Sequence, residues 1–187
     1  MKLMIGTLMA ALVVVGASAQ EVNQRKENQQ DRIANGVSSG KLTAGETANL
    51  EKKETKVNKE IRTDRKANGG NLTNKEKAQV NGQQNKVGKQ IAADKHNAKT
   101  ATYGNNKVGA RRQEQQQRIA QGIKSGKMTA KEAAKTETKE TKINKQDAAD
   151  RKANGGNLTN NQKAKINARQ NKASTQIYDD KHNAAKQ

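Results

Sequence analysis

The chain has 187 residues, of which 37 are Lys or Arg and 18 are Asp or Glu, so its formal net charge is +19. It contains no Cys, Pro, Phe or Trp, which excludes disulfides, thiolate metal sites and cysteine nucleophiles. With 1% aromatic residues it also lacks the aromatic side chains that fill much of an ordinary globular core.

The N-terminal residues 1–19 have the pattern of a secretory signal. Lys2 precedes a run of apolar residues, and the small residues Ala17 and Ala19 form an A-x-A cleavage site. The apolar run is shorter than the roughly 20 residues that a membrane-spanning helix needs. We therefore expect a secreted or periplasmic protein with no membrane span, whose mature chain begins near Gln20.

The rest of the chain consists of two copies of one sequence. Residues 21–101 align without a gap to residues 107–187, and 46 of 81 positions are identical. Residues 102–106 form a short linker between the copies. Internal repetition on this scale predicts two structural units of one architecture in tandem. The sequence leaves open whether the two units pack together.

Each copy is predicted to form three helices. Leu50, Val57 and Ile61 are spaced by seven and four residues, which places them on one face of a helix, and no segment alternates with period two. Four threonines, each followed three residues later by Glu or Gln, have the pattern of capping boxes that begin helices: Thr43, Thr73, Thr129 and Thr159. The predicted helices span residues 22–38, 43–67, 73–97, 108–124, 129–153 and 159–185. The expected fold is all-α, with two tandem three-helix repeats in an elongated arrangement around a thin core.

The longest verbatim repeat is DRKANGGNLTN, at residues 64–74 and 150–160. Glycine adopts at little cost the left-handed conformation that ends a helix, and the Thr that follows caps the next helix. The stretch therefore predicts a tight helical hairpin in each copy. The predicted turn residues are Asn68, Gly69, Gly70, Asn154, Gly155 and Gly156.

The stretch DRKANGGNLTN can also be compared with the loop of a calcium-binding helix–loop–helix motif. Asp64, Asn68 and Gly69 fit positions 1, 5 and 6 of an EF-hand loop. Positions 3 and 12, which require oxygen ligands, are occupied by Lys66 and Lys75. A degenerate EF-hand-like, ion-binding protein is thus an alternative, although no metal or other cofactor is expected.

The inventory of reactive residues argues against an enzyme. The histidines are His96 and His182, one in each DKHN segment, and one His per copy without Cys is an incomplete ligand set for zinc. We expect both to lie at solvated helix ends. The acidic residues are mostly interleaved with Lys, so we expect no apolar pocket that shifts the pKa of a carboxyl group.

The apolar residues are few. In the second copy, Thr136, Asp147 and Ala173 stand where the first copy has Leu50, Ile61 and Val87. Each copy is therefore expected to be marginally stable alone, the second more so, and stabilisation by self-association or by a partner would compensate.

The charge excess predicts the class of partner. Cations that recur in both copies, several of them at the ends of helices, are expected to bind anionic polymers without sequence specificity, such as envelope polysaccharide, lipopolysaccharide or extracellular DNA. The predicted polyanion-binding residues are Arg65, Lys66, Lys95, Arg151, Lys152 and Lys181. The alternative is a solvated structural spacer, in which the same charges only prevent aggregation.

The segments RIANGVSSGKLTAGE, DRKANGGNLTNKE and DKHNA resemble the repeats of small exported bacterial proteins rich in Gln, Asn and Lys. The SSGKLTAGE segment is also similar to the Gly-x-Leu-Thr-x-x-Glu turn of short helical oligomerisation modules of bacteria. Neither resemblance carries a known activity or functional residues that could be transferred to this chain.

Overall fold

The computed structural model describes the backbone of residues 14–186 and the side chains of residues 20–186. It contains six helices: α1 (Val14–Ser38), α2 (Ala44–Ala67), α3 (Asn74–His96), α4 (Lys107–Lys124), α5 (Ala130–Ala153) and α6 (Asn160–His182). Within the described residues there is no strand, so the all-helical prediction is confirmed. None of the helices in this part of the chain is long and apolar enough to cross a membrane.

The helix bounds agree with the predicted ones to within three residues, except at the start of α1. That helix begins at Val14, eight residues before the predicted start, and thus includes the end of the predicted signal segment. The first thirteen residues of that segment lie outside the described residues.

Reciprocal capping bonds set the starts of four helices. At α2, Thr43 Oγ1 accepts the Glu46 N–H at 3.3 Å, and Glu46 Oε2 accepts the Thr43 N–H at 3.0 Å. Each bond satisfies a backbone donor that has no partner within the helix. The same arrangement begins α3, α5 and α6, with Thr73, Thr129 and Thr159 as the cap residues.

The Asn-Gly-Gly turns close two helical hairpins, α2–α3 and α5–α6. Gly69 and Gly70 have φ angles of 61° and 98°, which residues with a Cβ rarely adopt. The Gly70 N–H donates to the carbonyl of Arg65 at 2.7 Å, and this bond ends α2. In the second copy, Gly155 and Gly156 have nearly the same angles.

The two copies pack against each other, which the sequence left open. The most extensive helix–helix contacts in the bundle are those of α2 with α5 and of α1 with α4. The α2 and α5 helices run antiparallel: Gly45, at the start of α2, lies beside Thr141 in the second half of α5, and Arg65, at the end of α2, lies beside Thr129 at the start of α5. Helix α3 packs against α1 and α2 on one side of this central group, and helix α6 packs against α4 and α5 on the other side.

The hydrophobic core is arranged in the same way. One central cluster contains buried residues of both copies, among them Ile33 and Leu50 of the first and Ile119 and Met128 of the second. Each copy adds a satellite cluster, and equivalent residues fill the two, for example Leu72 in one and Leu158 in the other. The largest part of the hydrophobic core is therefore shared, because apolar side chains of one copy pack against those of the other.

The polar replacements in the second copy are buried with partners. Thr136 Oγ1 donates to Asp180 Oδ2 at 3.1 Å. The Asp147 carboxylate is paired with Arg112 at 3.5 Å and with Arg151 at 3.0 Å. The first copy has buried apolar side chains at the same positions. The hydrogen bond and the ion pairs offset part of the stabilisation that the second copy loses by lacking those apolar side chains.

Candidate functional site

The antiparallel packing divides the six predicted polyanion-binding residues between the two ends of the bundle. The end of α6 lies beside the start of α5, because Asn183 Nδ2 donates to Glu132 Oε1 at 2.6 Å. The equivalent bond from Asn97 to Glu46, 2.8 Å long, places the end of α3 beside the start of α2. One end of the bundle therefore carries Arg65, Lys66 and Lys181, and the other carries Lys95, Arg151 and Lys152.

The first of these ends contains a cleft of about 390 Å³, which we call cleft 1. Its walls are α1, the second half of α2, the start of α5 and the C-terminal residues that follow α6. Its cationic lining residues are Lys26, Arg62, Arg65, Lys131 and Lys186. Its neutral polar lining residues are Asn23, Thr55, Asn58 and Thr129.

Among the described residues, none of the five cations in cleft 1 is paired with a carboxylate. The ion pairs found among the described residues are Arg25–Glu21, Arg112–Asp147 and Arg151–Asp147. Within the cleft, Arg65 donates to Asn23 Oδ1 at 3.3 Å and Lys186 donates to the carbonyl of Asn183 at 3.2 Å, both neutral acceptors.

Lys26, on the α1 wall of cleft 1, has a lowered pKa. Partial burial lowers the pKa of Lys26, and the nearby guanidinium groups of Arg62 and Arg65 lower it further. Glu27 and Glu54 act in the opposite direction without reversing the shift. Burial is therefore the main cause of the lowered pKa, and carboxylates as well as guanidinium groups lie near Lys26.

The opposite end has an equivalent cleft, cleft 2, of about 380 Å³. Thr43, Ala44, Thr141 and Asn144 line it, and these are the equivalents of Thr129, Ala130, Thr55 and Asn58 in cleft 1. Three of the five cations are missing: Gly45, Thr100 and Ala148 stand at the positions equivalent to Lys131, Lys186 and Arg62.

Lys145 lines cleft 2 and forms no ion pair among the described residues. The equivalents of Lys26 and Arg65 are Arg112, which lines cleft 2, and Arg151, and these two share one carboxylate. Arg112 and Arg151 both bind the carboxylate of Asp147, which replaces the apolar Ile61. The Arg112 guanidinium also lies 5.9 Å from the centre of the Tyr103 ring, a residue of the linker. The two clefts therefore share a backbone framework and differ in electrostatic character.

Buried carboxylates lie along the contact between α2 and α5. The side chains of Glu51, Glu54, Glu137 and Glu140 are all at most 1% exposed. Gln30 Nε2 donates to Glu51 at 3.2 Å, and Gln116 Nε2 donates to Glu137 at 3.0 Å. Both oxygens of Glu54 and both oxygens of Glu140 are buried without a hydrogen-bond partner.

Burial raises the pKa of all four groups, because a charged carboxylate loses its hydration in the interior. The pKa is raised to about 8 for Glu137 and to about 7 for Glu54 and Glu140. For Glu51 it is raised well above the usual value, and the nearby Glu54 and Glu137 add to the effect of burial.

The expectation that no carboxyl group has a shifted pKa is therefore wrong for these four residues. Glu51 and Glu54 share the buried face of α2 with Leu50 and Val57, and Glu137 and Glu140 occupy the equivalent positions of α5. The Lys residues next to Glu51 and Glu54 in α2 are exposed. Within the described residues, the acidic and histidine side chains form no group of three or more that could hold a metal ion. The four glutamates form a buried row along the contact between α2 and α5.

The predicted turn and histidine residues take part in local bonds. Asn68 Nδ2 donates to both carboxylate oxygens of Glu76, at 3.0 and 2.8 Å, so that the loop is tied to the cap of α3. His96 Nδ1 lies 2.8 Å from the carbonyl of Ala92, and His182 Nδ1 lies 2.7 Å from that of Tyr178. Both histidines are exposed at the ends of their helices.

Comparison with protein-family models, with curated proteins and with solved structures finds no match to this chain. Function is therefore inferred from the charges and the geometry of the chain itself.

Sequence reasoning identified Arg65 in cleft 1 but missed the other four cations. It selected cations that recur in both copies, whereas Arg62, Lys131 and Lys186 occur at positions where the other copy has a neutral residue. A search for cations present in one copy only would have found these three.

Proposed function

We propose that this is an exported helical protein without enzymatic activity, which binds anionic polymers of the cell envelope or of the extracellular matrix through lysine and arginine side chains. Envelope polysaccharide, lipopolysaccharide and extracellular DNA are the partners that this chemistry fits. Export is proposed from the signal pattern in residues 1–19.

The observation that carries this proposal is that few of the cations in the described part of the chain are paired with a carboxylate. Three ion pairs occur among the described residues, all formed by arginine, and no lysine there lies within 4.0 Å of a carboxylate. Glu51, Glu54, Glu137 and Glu140 compensate the surface cations only in part, because burial raises their pKa values, to about 7 for Glu54 and Glu140 and to about 8 for Glu137. The cations are therefore available to an external polyanion.

A solvated spacer would carry the same excess of charge, but binding distinguishes the two functions. Binding through cations releases counterions from the polymer, so log affinity should fall linearly with log salt concentration. We expect heparin, duplex DNA and lipopolysaccharide to bind the mature chain at low salt, with an affinity that does not depend on DNA sequence.

The measurement is a series of titrations by fluorescence anisotropy at increasing salt concentration. A neutral dextran of similar length serves as the control polymer. Absence of binding to all three polyanions at micromolar protein, or an affinity that is insensitive to salt, would favour the spacer.

A further inference from the structure

We propose that cleft 1 is a specific site for an anionic saccharide, a sugar unit that carries sulfate or phosphate groups. This inference rests on the proposed polyanion binding and assigns to it one defined site and one class of ligand. The site consists of the cations of cleft 1 together with its neutral polar side chains.

The cations of cleft 1 have no structural role that would account for them. Arg62, Lys131 and Lys186 form no ion pair within the described part of the chain. Cleft 2 keeps the same framework with Ala148, Gly45 and Thr100 at these positions, so the fold does not require them. Gathering like charges in one cleft costs free energy unless an anion offsets it.

The size of the cleft favours a sugar-sized ligand over a lone ion. Ligand sites in proteins usually have volumes of about 300–1,000 Å³, and cleft 1 at about 390 Å³ is within this range. A single sulfate or phosphate ion would leave much of this volume to water, whereas a sugar unit would fill more of it.

The neutral residues complete the chemistry. Thr55, Asn58 and Asn23 offer hydroxyl and amide groups beside the cations, and these are the donors and acceptors that sugar hydroxyl groups need. Ile61 supplies an apolar wall, since it is buried and also lines the cleft. Cations for the sulfate or phosphate and neutral groups for the ring are thus combined in one cleft.

Three small probes test this assignment by isothermal titration calorimetry: a sulfated heparin disaccharide, inorganic sulfate, and lactose. We expect the disaccharide to bind at a single site, sulfate to bind more weakly, and lactose not to bind.

The variant R62Q/K131Q should weaken disaccharide binding by at least about tenfold, because each lost contact is a hydrogen bond to a charged group. Both side chains are exposed, and an unchanged circular dichroism spectrum verifies that the variant folds.

The matched control is K41Q/K145Q, which removes two exposed charges at the cleft 2 end. We expect this variant to bind the disaccharide as the parent protein does. Equal losses in the two variants would overturn the assignment, because they would show that overall charge alone attracts the ligand.

Two further results separate the failure of this inference from the failure of the proposed function. If long heparin binds but the disaccharide does not, cleft 1 is not a site and polyanion binding stands. If neither binds, both proposals fail. Binding of inorganic sulfate as tight as that of the disaccharide would overturn the saccharide part of the assignment.

Discussion

The four buried glutamates are the residues that depart furthest from ordinary behaviour. A carboxylate with no partner in the interior costs several kcal/mol if it remains charged, and Glu54 and Glu140 have no hydrogen-bond partner for either oxygen. Protonation removes most of this cost, so these side chains are best accommodated as neutral acids. The contact between the two copies is consequently coupled to pH.

The change Glu137→Gln tests this coupling. The pKa of Glu137 is about 8 in the folded chain, against 4.5 for an exposed glutamate. Between these values the folded state holds a proton that the unfolded state has lost, so the free energy of unfolding falls as pH rises. Glutamine has no such proton. The free energy of unfolding of the Glu137→Gln variant, relative to that of the parent chain, should therefore increase from pH 4.5 to pH 8, by a few kcal/mol in order of magnitude. Urea unfolding of both proteins at pH 5 and pH 8 measures this difference.

The control for this experiment is Glu114→Gln, which removes an exposed carboxylate from α4. Its stability relative to the parent chain should change little with pH, since this side chain is exposed to solvent in the folded chain as it is in the unfolded chain. A pH-independent effect of Glu137→Gln would contradict the burial of a protonated glutamate at this position.

At the scale of elements, the Asn-Gly-Gly turn depends on backbone conformation alone. A Cβ at Gly69 or Gly70 would meet no atom within 4 Å, but both residues have positive φ angles. Gly69→Ala and Gly70→Ala should therefore each destabilise the protein through backbone strain, by about 1 kcal/mol or more. Thermal melts followed by circular dichroism at 222 nm measure the effect.

Gly82→Ala is the matched control. Gly82 lies inside α3 with open space around it and no positive φ angle, and alanine is the better helix former by about 1 kcal/mol. This change should raise the melting temperature, whereas the two changes in the turn should lower it. A fall in all three variants would indicate that any added methyl group is harmful and that the turn has no special requirement.

The elements themselves were predictable because their signals are local. A Thr followed by Glu three residues later, and glycine after the last turn, depend on neighbours in the chain, and they located the helix ends at Thr43 and Gly69 to within a residue or two. The burial of Glu51 and Glu137 was not predictable in this way. Their environment is created by the antiparallel contact of α2 with α5, which involves residues 86 positions apart in the sequence.

Cleft 1 was not predictable from local sequence signals either. Its cations come from α1, α2, α5 and the C-terminal residues, so no sequence window contains them together. The sequence nevertheless holds a usable signal, because the two copies differ at three of these positions. Exposed positions at which one copy has a cation and the other a neutral residue are not required by the shared fold, and such positions are good candidates for function.

At the scale of the whole molecule, the duplication produces two unlike ends. The antiparallel packing repeats the framework of the clefts at both ends, but the two clefts differ in the number of unpaired cations that line them. Among the described residues, the five cations that line cleft 1 have no carboxylate partner, whereas Arg112 and Lys145 line cleft 2 and Arg112 shares Asp147 with Arg151. A polyanion should therefore contact the cleft 1 end in preference, and the protein should bind with a defined orientation.

Two double variants test this orientation. Lys66 and Lys181 lie at the cleft 1 end, and their sequence equivalents Lys152 and Lys95 lie at the other end. K66Q/K181Q and K95Q/K152Q thus remove the same number of charges from equivalent positions of the two copies. We expect K66Q/K181Q to cause the larger loss of heparin affinity, and also the larger decrease in the slope of log affinity against log salt, since that slope follows the number of cations in contact with the polymer. Equal losses would mean that the polymer contacts both ends alike. A larger loss in K95Q/K152Q would place the contact at the wrong end of the bundle, because the free cations of cleft 1 would then take no part in binding.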